Sequence, residues 1–199
     1  MSVFVIGDPH FGHRNIAKFR PFVTSPEDNE KKICDEWRKR VHKRGIVYVM
    51  GDASFTNTGL DLIASLPGKK ILIKGNHDDI VSTNDQMTVF DEIHGMLKYK
   101  GMWFSHAPIH PDELRGKPNV HGHVHAQSIM KKTWYGRKVL DPRYLNTCPD
   151  FVYPKWGKFI LTLDEVKAYF KGQWPKRTPN QVMGLARRSP VDPNSIIEL

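Results

Sequence analysis

Three polar side chains of different chemistry stand in consecutive positions at Asn76, His77 and Asp78, directly after Gly75. Asn offers a neutral oxygen ligand, His a proton that moves near neutral pH, and Asp a partner that can orient the His. The apolar run before them, residues 69–74, is typical of a buried parallel strand, whose carboxyl end faces the crevice where ligands bind. A plain tight turn is the alternative interpretation, because Gly, Asn and Asp all favour turns.

Two other apolar runs end in the same way. Residues 3–6 are followed by a glycine and then by Asp8 and His10, with one proline between them. Residues 46–50 are followed by a glycine and Asp52. Because the carboxyl ends of parallel strands meet at one edge of a sheet, three such endings in a β-α-β-α-β order predict a shared crevice.

The second half of the chain supplies more imidazoles. His106 follows residues 96–105, which are predicted to form a hairpin that turns near Gly101. His123 and His125 alternate with a valine, and residues two apart in an extended segment point the same way. Both imidazoles can therefore face one cation.

These residues have the chemistry of a metal site. Imidazole, carboxylate and amide ligands suit Mn²⁺, Fe²⁺, Zn²⁺ or Ni²⁺ rather than copper–thiolate or iron–sulfur chemistry. Seven ligands exceed the needs of one tetrahedral ion and suit two ions about 3.5–4 Å apart that share a carboxylate. The seven candidates are Asp8, His10, Asp52, Asn76, His106, His123 and His125.

Helices and later strands must position these residues. Ser25 followed by a proline and two acids predicts the start of a helix that runs to about residue 44. A second helix is predicted over about residues 58–66, whereas residues 87–94 fit a helix or a strand equally well. Further predicted elements are strands over 133–140 and 158–163, and a helix over 164–170 capped by Asp164.

Composition bounds the class of protein. The chain has 199 residues, 39% of them hydrophobic, and a formal charge of +9, which favours anionic partners such as nucleotides or nucleic acid. The apolar runs are too short for a membrane span or a signal peptide, and two isolated cysteines suit a reducing cytoplasm. We expect one domain over residues 1–170 and a basic, proline-rich extension over 171–199, extended over the surface or disordered.

The ordered set of motifs resembles the calcineurin-like metallophosphoesterase superfamily, particularly its small single-domain bacterial and phage members. The motifs are Asp-x-His, Gly-Asp, Gly-Asn-His-Asp, a single His, and Gly-His-x-His, and they run from Asp8 to His125. The resemblance implies an α/β fold, a four-layer αββα sandwich, with a dinuclear metal site at the strand ends. It assigns one ion to Asp8, His10, Asp52 and His125, and the second to Asp52, Asn76, His106 and His123.

The resemblance also implies a reaction. A hydroxide activated by two divalent ions, manganese first among the candidates, would attack the phosphorus of a phosphate ester. His77 would act as general acid, with Asp78 favouring its charged form. We predict a phosphodiesterase for a small nucleotide-like substrate, with His13, Arg14 and Arg115 as candidate substrate contacts. Residues 145–157 match no part of the family pattern.

Two other functions remain open. A nuclease acting on DNA or RNA would need a basic groove with stacking aromatics. Trp134, Tyr135, Arg137 and Lys138, together with Lys155, Trp156 and Lys158, could form one, although aromatics in short strands more often belong to the core. The other alternative is a metal-binding scaffold without catalysis, which we would expect to lack ligands or the general acid. No membrane partner is expected, and the oligomeric state is open.

Overall fold

The computed structural model describes residues 1–173, so the predicted extension lies outside the described residues from position 174 onward. The described part contains eleven strands, six α-helices and one 3-10 helix. The strands are β1 (Val3–Ile6), β2 (Ile46–Val49), β3 (Lys69–Ile73), β4 (Glu92–His94), β5 (Met96–Tyr99), β6 (Met102–Ser105), β7 (Asn119–His121), β8 (Met130–Lys132), β9 (Lys138–Leu140), β10 (Tyr144–Asn146) and β11 (Leu161–Thr162). The α-helices are α1 (Ile16–Phe19), α2 (Pro26–Arg40), α3 (Asn57–Ser65), α4 (Thr83–Val89), α5 (Pro149–Trp156) and α6 (Leu163–Phe170), and the 3-10 helix is Pro111–Leu114.

The first sheet contains the three strands whose ends carry the first motifs. Its order is β11-β1-β2-β3-β4, and β1 to β4 are parallel to one another while β11 runs antiparallel to β1. One face of this sheet packs against α2 and α3, which bury Ile33, Trp37, Leu60 and Ile63 against it. The predicted cap of α2 is confirmed, because Ser25 Oγ accepts the Asp28 N–H at 3.1 Å.

The second sheet packs on the other face of the first. Its order is β10-β7-β6-β5, with β10, β7 and β6 parallel. Val5, Tyr48 and Ile73 from the first sheet meet Phe104 and Val120 from the second in one buried cluster. The predicted α/β fold with two packed sheets is therefore confirmed. The 3-10 helix covers the outer face of the second sheet. Its Leu114 carbonyl accepts the Trp103 indole N–H.

Two predicted strands in the late part of the chain are confirmed only in part. Residues 133–140 do not form one strand, because Thr133–Gly136 make a turn that pairs β8 with β9 as a separate two-stranded sheet. Residues 158–163 contribute only the two-residue β11. The backbone N–H groups of Phe159 and Ile160 donate to the Glu36 carboxylate instead of to a strand.

Several element boundaries also differ from those predicted. The cap of α6 is Thr162 rather than Asp164, because Thr162 Oγ1 accepts the Glu165 N–H while the Glu165 carboxylate accepts the Thr162 N–H. Helix α2 ends at Arg40 rather than near residue 44. The undecided residues 87–94 contain the end of α4 and the whole of β4.

None of the helices within residues 1–173 has both the length and the apolar composition needed to cross a membrane.

Candidate metal centre

The carboxyl ends of six strands meet along one edge of the two sheets. Strands β1, β2 and β3 lead into the first motifs, and β6, β7 and β10 lead into the later ones. Main-chain hydrogen bonds join these strand ends: between the sheets the Gly7 N–H donates to the Thr147 carbonyl at 3.0 Å, and within the first sheet the Asp8 N–H donates to the Gly51 carbonyl at 3.2 Å. The candidate residues are therefore held by backbone that is itself hydrogen-bonded.

One group of candidate ligands surrounds His10. Its Nε2 lies 3.6 Å from Asp8 Oδ1 and 3.7 Å from Asp52 Oδ2. One ligand atom each from Asp8, His10 and His125 lie within 4.8 Å of one another. Separations of this size between donor atoms are those of atoms that share an ion rather than of hydrogen-bonded pairs.

A second group surrounds His106. Its Nε2 lies 3.6 Å from Asp52 Oδ1, 2.8 Å from Asn76 Oδ1 and 3.1 Å from His123 Nδ1. The two oxygens of Asp52 therefore face different groups, Oδ2 toward His10 and Oδ1 toward His106. The structure thus brings together all seven residues that the sequence singled out.

The backbone of these residues is unusual. Seven non-glycine residues in the described part of the chain have φ in the left-handed region, and five of them are candidate ligands: Asp8, His10, Asp52, His123 and His125. This conformation costs about 1–3 kcal/mol for such residues and persists only where the surroundings impose it. Its concentration at one place points to a functional site.

Two glycines leave room for the ligands. A Cβ on Gly122 would overlap Asp8 Oδ2 and the Met50 carbonyl, and a Cβ on Gly75 would overlap Asp52 Oδ1. These two glycines are therefore required by the close approach of the ligands.

Unpartnered buried atoms show that the site fits metal ions. Asp8 Oδ1 and both ring nitrogens of His10 are buried without a hydrogen-bond partner. Such atoms are costly unless something satisfies them, and a carboxylate oxygen beside an imidazole nitrogen is a suitable pair of ligands for a divalent ion. The donors present fit the two ions implied by the sequence.

The protonation states of the candidate ligands also suit metal binding. Burial lowers the pKa of His10 and of His123, so that both imidazoles are neutral near pH 7 and keep a lone pair for a metal. Burial alone would raise the pKa of Asp8, but the adjacent His10 imidazole and the other nearby imidazoles bring it to about 2. Asp8 is therefore ionised.

His77 and Asp78 are not partners as predicted. Both Asp78 oxygens accept main-chain N–H groups: Oδ2 accepts those of Asp52 at 2.9 Å and Gly75 at 2.7 Å, and Oδ1 that of Ala53 at 2.8 Å. Asp78 thus ties the end of β2 to the end of β3 and does not orient the His77 ring. The physical reason is its burial, since a buried carboxylate takes the donors nearest to it.

The exposed His77 lines a cavity of about 450 Å³ beside the ligands. Its backbone N–H donates to Asp52 Oδ1 at 2.9 Å, and its ring lies 5.2 Å from that of Phe55. The remaining walls are largely apolar or aromatic and include Ile16, Phe19, Phe55, Val124 and Gln127.

The three predicted substrate contacts are placed differently. His13 lines the cavity and lies edge-on to the Phe55 ring, 4.7 Å between centroids. Arg14 is exposed and does not line this cavity. Arg115 is also exposed, pairs with Glu113 at 3.2 Å and lies outside the cavity wall. The prediction for the two arginines lacks this structural support because both side chains turn to the surface.

Three residues of the site were missed by sequence reasoning. Arg20 is fully buried and donates to the carbonyls of Asp8 and Pro9, and its Nη2 lies 3.0 Å from Asp150 Oδ2. The Cys148 thiol lies 3.1 Å from Asp8 Oδ2. Cys148 and Asp150 belong to the segment that matched no motif, and its strand-then-helix pattern was the available signal.

The sheet pair, the strand-end ligands and their order define a class of protein. The chain belongs to the calcineurin-like phosphoesterase family, whose sequence profile matches residues 1–169. The resemblance inferred from the motifs is therefore confirmed. Members of this family typically bind two divalent metal ions and hydrolyse phosphate esters, which supports a phosphoric ester hydrolase in general terms.

Individual relatives agree with this assignment. The chain is 30% identical over 139 residues to the uncharacterized protein MJ1445 of Methanocaldococcus jannaschii, covering 64% of this chain and 72% of that protein. It is 24% identical over 174 residues to the Gene 66 protein of Mycobacterium phage L5, covering 69% and 84%. The crystal structure of AQ665 from Aquifex aeolicus, a protein of unknown function, has a TM-score of 0.59 at 23% identity, covering 83% and 97%, and so shares the fold.

Proposed function

We propose that this protein is a metal-dependent phosphodiesterase that acts on a small nucleotide-like substrate. The observation that carries the proposal is the convergence of donor atoms from both sheets next to an apolar cavity. Metal ligands beside a water-filled groove would suit many phosphate esters, whereas apolar walls suit an ester that carries a flat, poorly hydrated group.

Two divalent ions are part of the proposal, with Mn²⁺ first and Fe²⁺, Ni²⁺ and Zn²⁺ as the other candidates. Asp8, His10 and His125 would hold one and Asn76, His106 and His123 the other, with Asp52 shared between them. When bound, the ions would neutralise phosphoryl oxygens and acidify a water molecule. Two cysteines that form no disulfide support a reducing, cytoplasmic setting.

His77 is the proposed general acid. Its side chain lines the cavity, and its backbone N–H donates to Asp52 Oδ1, which places the residue next to the ligands without making it one of them. Its ring would give a proton to the leaving oxygen of the ester. Asp78 would act by holding the two strand ends in register, a positioning role in place of the predicted catalytic one.

The cavity walls would select the substrate. Phe55 and Phe19 offer aromatic surface on the side next to His13, and Val124 adds an apolar side. Gln127 can both donate and accept a hydrogen bond, as recognition of a base edge requires. A nucleoside ester presents this combination of an aromatic face and a polar edge.

The test is hydrolysis with added Mn²⁺ of bis-p-nitrophenyl phosphate, p-nitrophenyl phosphate, cyclic nucleotides and single-stranded DNA. We expect the diesters to be hydrolysed, and the activity to vanish with EDTA and in Asp52→Asn. His77→Ala should lower turnover of a nucleotide diester about 100- to 10,000-fold. The nitrophenyl diester should lose less, because nitrophenolate is a stable anion that leaves without a proton.

The control is metal content. His77→Ala keeps every proposed ligand and the backbone N–H, so it should bind as much Mn²⁺ as the natural protein. Equal losses on both diesters would contradict the general-acid role. Inactivity on every substrate, in protein that holds two ions per chain, would contradict the proposed phosphodiesterase and favour the scaffold alternative.

A further inference from the structure

The hairpin formed by β8 and β9 carries two aromatic side chains at its tip. The Gly136 N–H donates to the Thr133 carbonyl at 2.9 Å, which makes Trp134 and Tyr135 the two central residues of a four-residue turn. Such positions favour Gly, Pro, Asn, Asp and Ser, because these residues suit the turn backbone or bond to it. Two large aromatics contribute nothing to the turn, so their presence needs another reason.

Both rings are open to solvent. Trp134 is 95% exposed and Tyr135 is 60% exposed. Their planes cross at 87° with 5.2 Å between centroids. Rings packed edge to face in this way leave broad faces free for another flat group.

The charged side chains of the hairpin are all positive. Residues 130–140 contain Lys131, Lys132, Arg137 and Lys138 and no acid, and all four cations are exposed. The β8–β9 pairing sets Lys132 opposite Lys138. Four exposed cations on one short hairpin favour a polyanion as the partner.

The base of the hairpin adjoins the cavity. Gln127 lines the cavity, and its carbonyl, like that of His125, accepts a hydrogen bond from Asn146 Nδ2. Strand β8 begins three residues after Gln127, and the Asp141 N–H donates to the Ile129 carbonyl at 2.9 Å at the base of the hairpin. Three paired residues per strand span only about 10 Å, so the tip is within a few nucleotides of the cavity.

We propose that this hairpin is a binding surface for single-stranded nucleic acid. Bases stack on Trp134 and Tyr135, and the phosphates between them contact the four cations of the two strands. A single strand fits better than a duplex, because only unpaired bases offer a free face to an aromatic ring. The part of the predicted groove around Trp156 does not belong to this surface, because Trp156 packs against Phe151 and Tyr169.

Binding of nucleic acid is measured separately from hydrolysis, so the result of this test does not depend on the proposed phosphodiesterase activity. The full chain is titrated into fluorescein-labelled oligo-dT of about 15 nucleotides, a length that one single-strand module can occupy, in EDTA. Fluorescence anisotropy reports affinity. We expect Trp134→Ser to weaken binding about 5- to 100-fold and Trp134→Phe to keep most of it. Arg137→Gln should reduce the slope of log affinity against log salt by about 0.7.

Matched controls separate stacking from other effects. Met87→Ser removes another exposed apolar side chain and Lys39→Gln another exposed cation, and neither should cause a comparable loss. Equal affinity of Trp134→Ser and the natural protein would overturn the proposal, as would equally tight binding of a duplex. A dimer that Trp134→Ser converts to monomer, without oligo-dT binding, would instead assign the surface to a second copy of the chain.

Discussion

Arg20 and Asp150 form a buried ion pair directly behind His125. Asp150 Oδ2 lies 3.1 Å from Arg20 Nε and 3.4 Å from His125 Nδ1. Burial alone would raise the pKa of Asp150, but the Arg20 guanidinium lowers it well below its usual range, so the oxygen is an anionic acceptor. An Nδ1–H that donates to it leaves His125 Nε2 free to bind an ion.

We expect Asp150→Asn to weaken Mn²⁺ binding about 10- to 100-fold, because the neutral amide holds the His125 ring less firmly and supports its basicity less. Metal content after equilibrium dialysis over a range of Mn²⁺ concentrations measures this directly, without reference to activity.

Asp141→Asn is the matched control. Asp141 is equally buried and pairs with Arg143 at 2.6 Å at the base of the hairpin, away from the ligands. It should cost stability while leaving Mn²⁺ affinity unchanged. Unaltered Mn²⁺ affinity in folded Asp150→Asn would remove Asp150 from the site, and an equal loss in both variants would show a general effect of losing a buried carboxylate.

At the scale of the elements, the junction between strand and ligand loop is the critical feature. Each strand stops just before the ligands, and a hydrogen bond such as that from the His123 N–H to Asp8 Oδ2, at 2.9 Å, joins the loops of different strands. Gly122 lies at the centre of this contact, with the Asp8 carboxylate and the end of β2 both against its Cα.

We expect Gly122→Ala to abolish binding of at least one ion and to destabilise the fold by about 1–3 kcal/mol, the usual cost of overpacking. The added methyl group must displace either Asp8 Oδ2 or the Met50 carbonyl. Metal stoichiometry and urea denaturation measure the two effects.

Gly95→Ala serves as the reference for this substitution, since a Cβ at Gly95 meets nothing within 4 Å. It should keep both ions and nearly all the stability. Retention of two ions by Gly122→Ala would mean that the loop moves easily, contrary to the tight packing inferred here.

On the scale of the whole molecule, the family match ends at residue 169 and α6 is the last helix of the described part. Val166 of α6 is fully buried and belongs to the cluster between the sheets. The predicted domain over residues 1–170 rests on this packing, and a truncation series tests it.

Removing residues 174–199 should leave the unfolding temperature, Mn²⁺ content and diester hydrolysis unchanged, because the core clusters and the candidate ligands of the described residues all precede position 174. Removing everything after Thr162 deletes α6 and should cost about 3–6 kcal/mol from the burial of Leu163 and Val166 alone. A large loss of stability in the first truncation, measured by thermal denaturation, would contradict the predicted domain boundary.

The sequence by itself predicted the candidate ligands and the family. Five of the seven, Asp8, His10, Asp52, Asn76 and His106, follow a short apolar run within a few positions, so their pattern is local, and parallel strands bring such ends together whatever the rest of the chain does. The α/β fold followed from the same runs and the helix-start signal at Ser25.

Tertiary structure alone decided which residues support that site. Arg20 and Asp150 are 130 positions apart and of ordinary type, so only the packing of α5 against the strand ends makes them partners. Asp78 lies next to His77 in sequence. Because its carboxylate is buried, its oxygens accept three backbone N–H groups from neighbouring strand ends instead of pairing with the His77 ring. From the sequence, Trp134 could belong either to the core or to the surface, and the structure places it in a turn exposed to solvent. Local pattern fixes what a strand end carries, whereas burial and long-range contacts fix what each side chain touches.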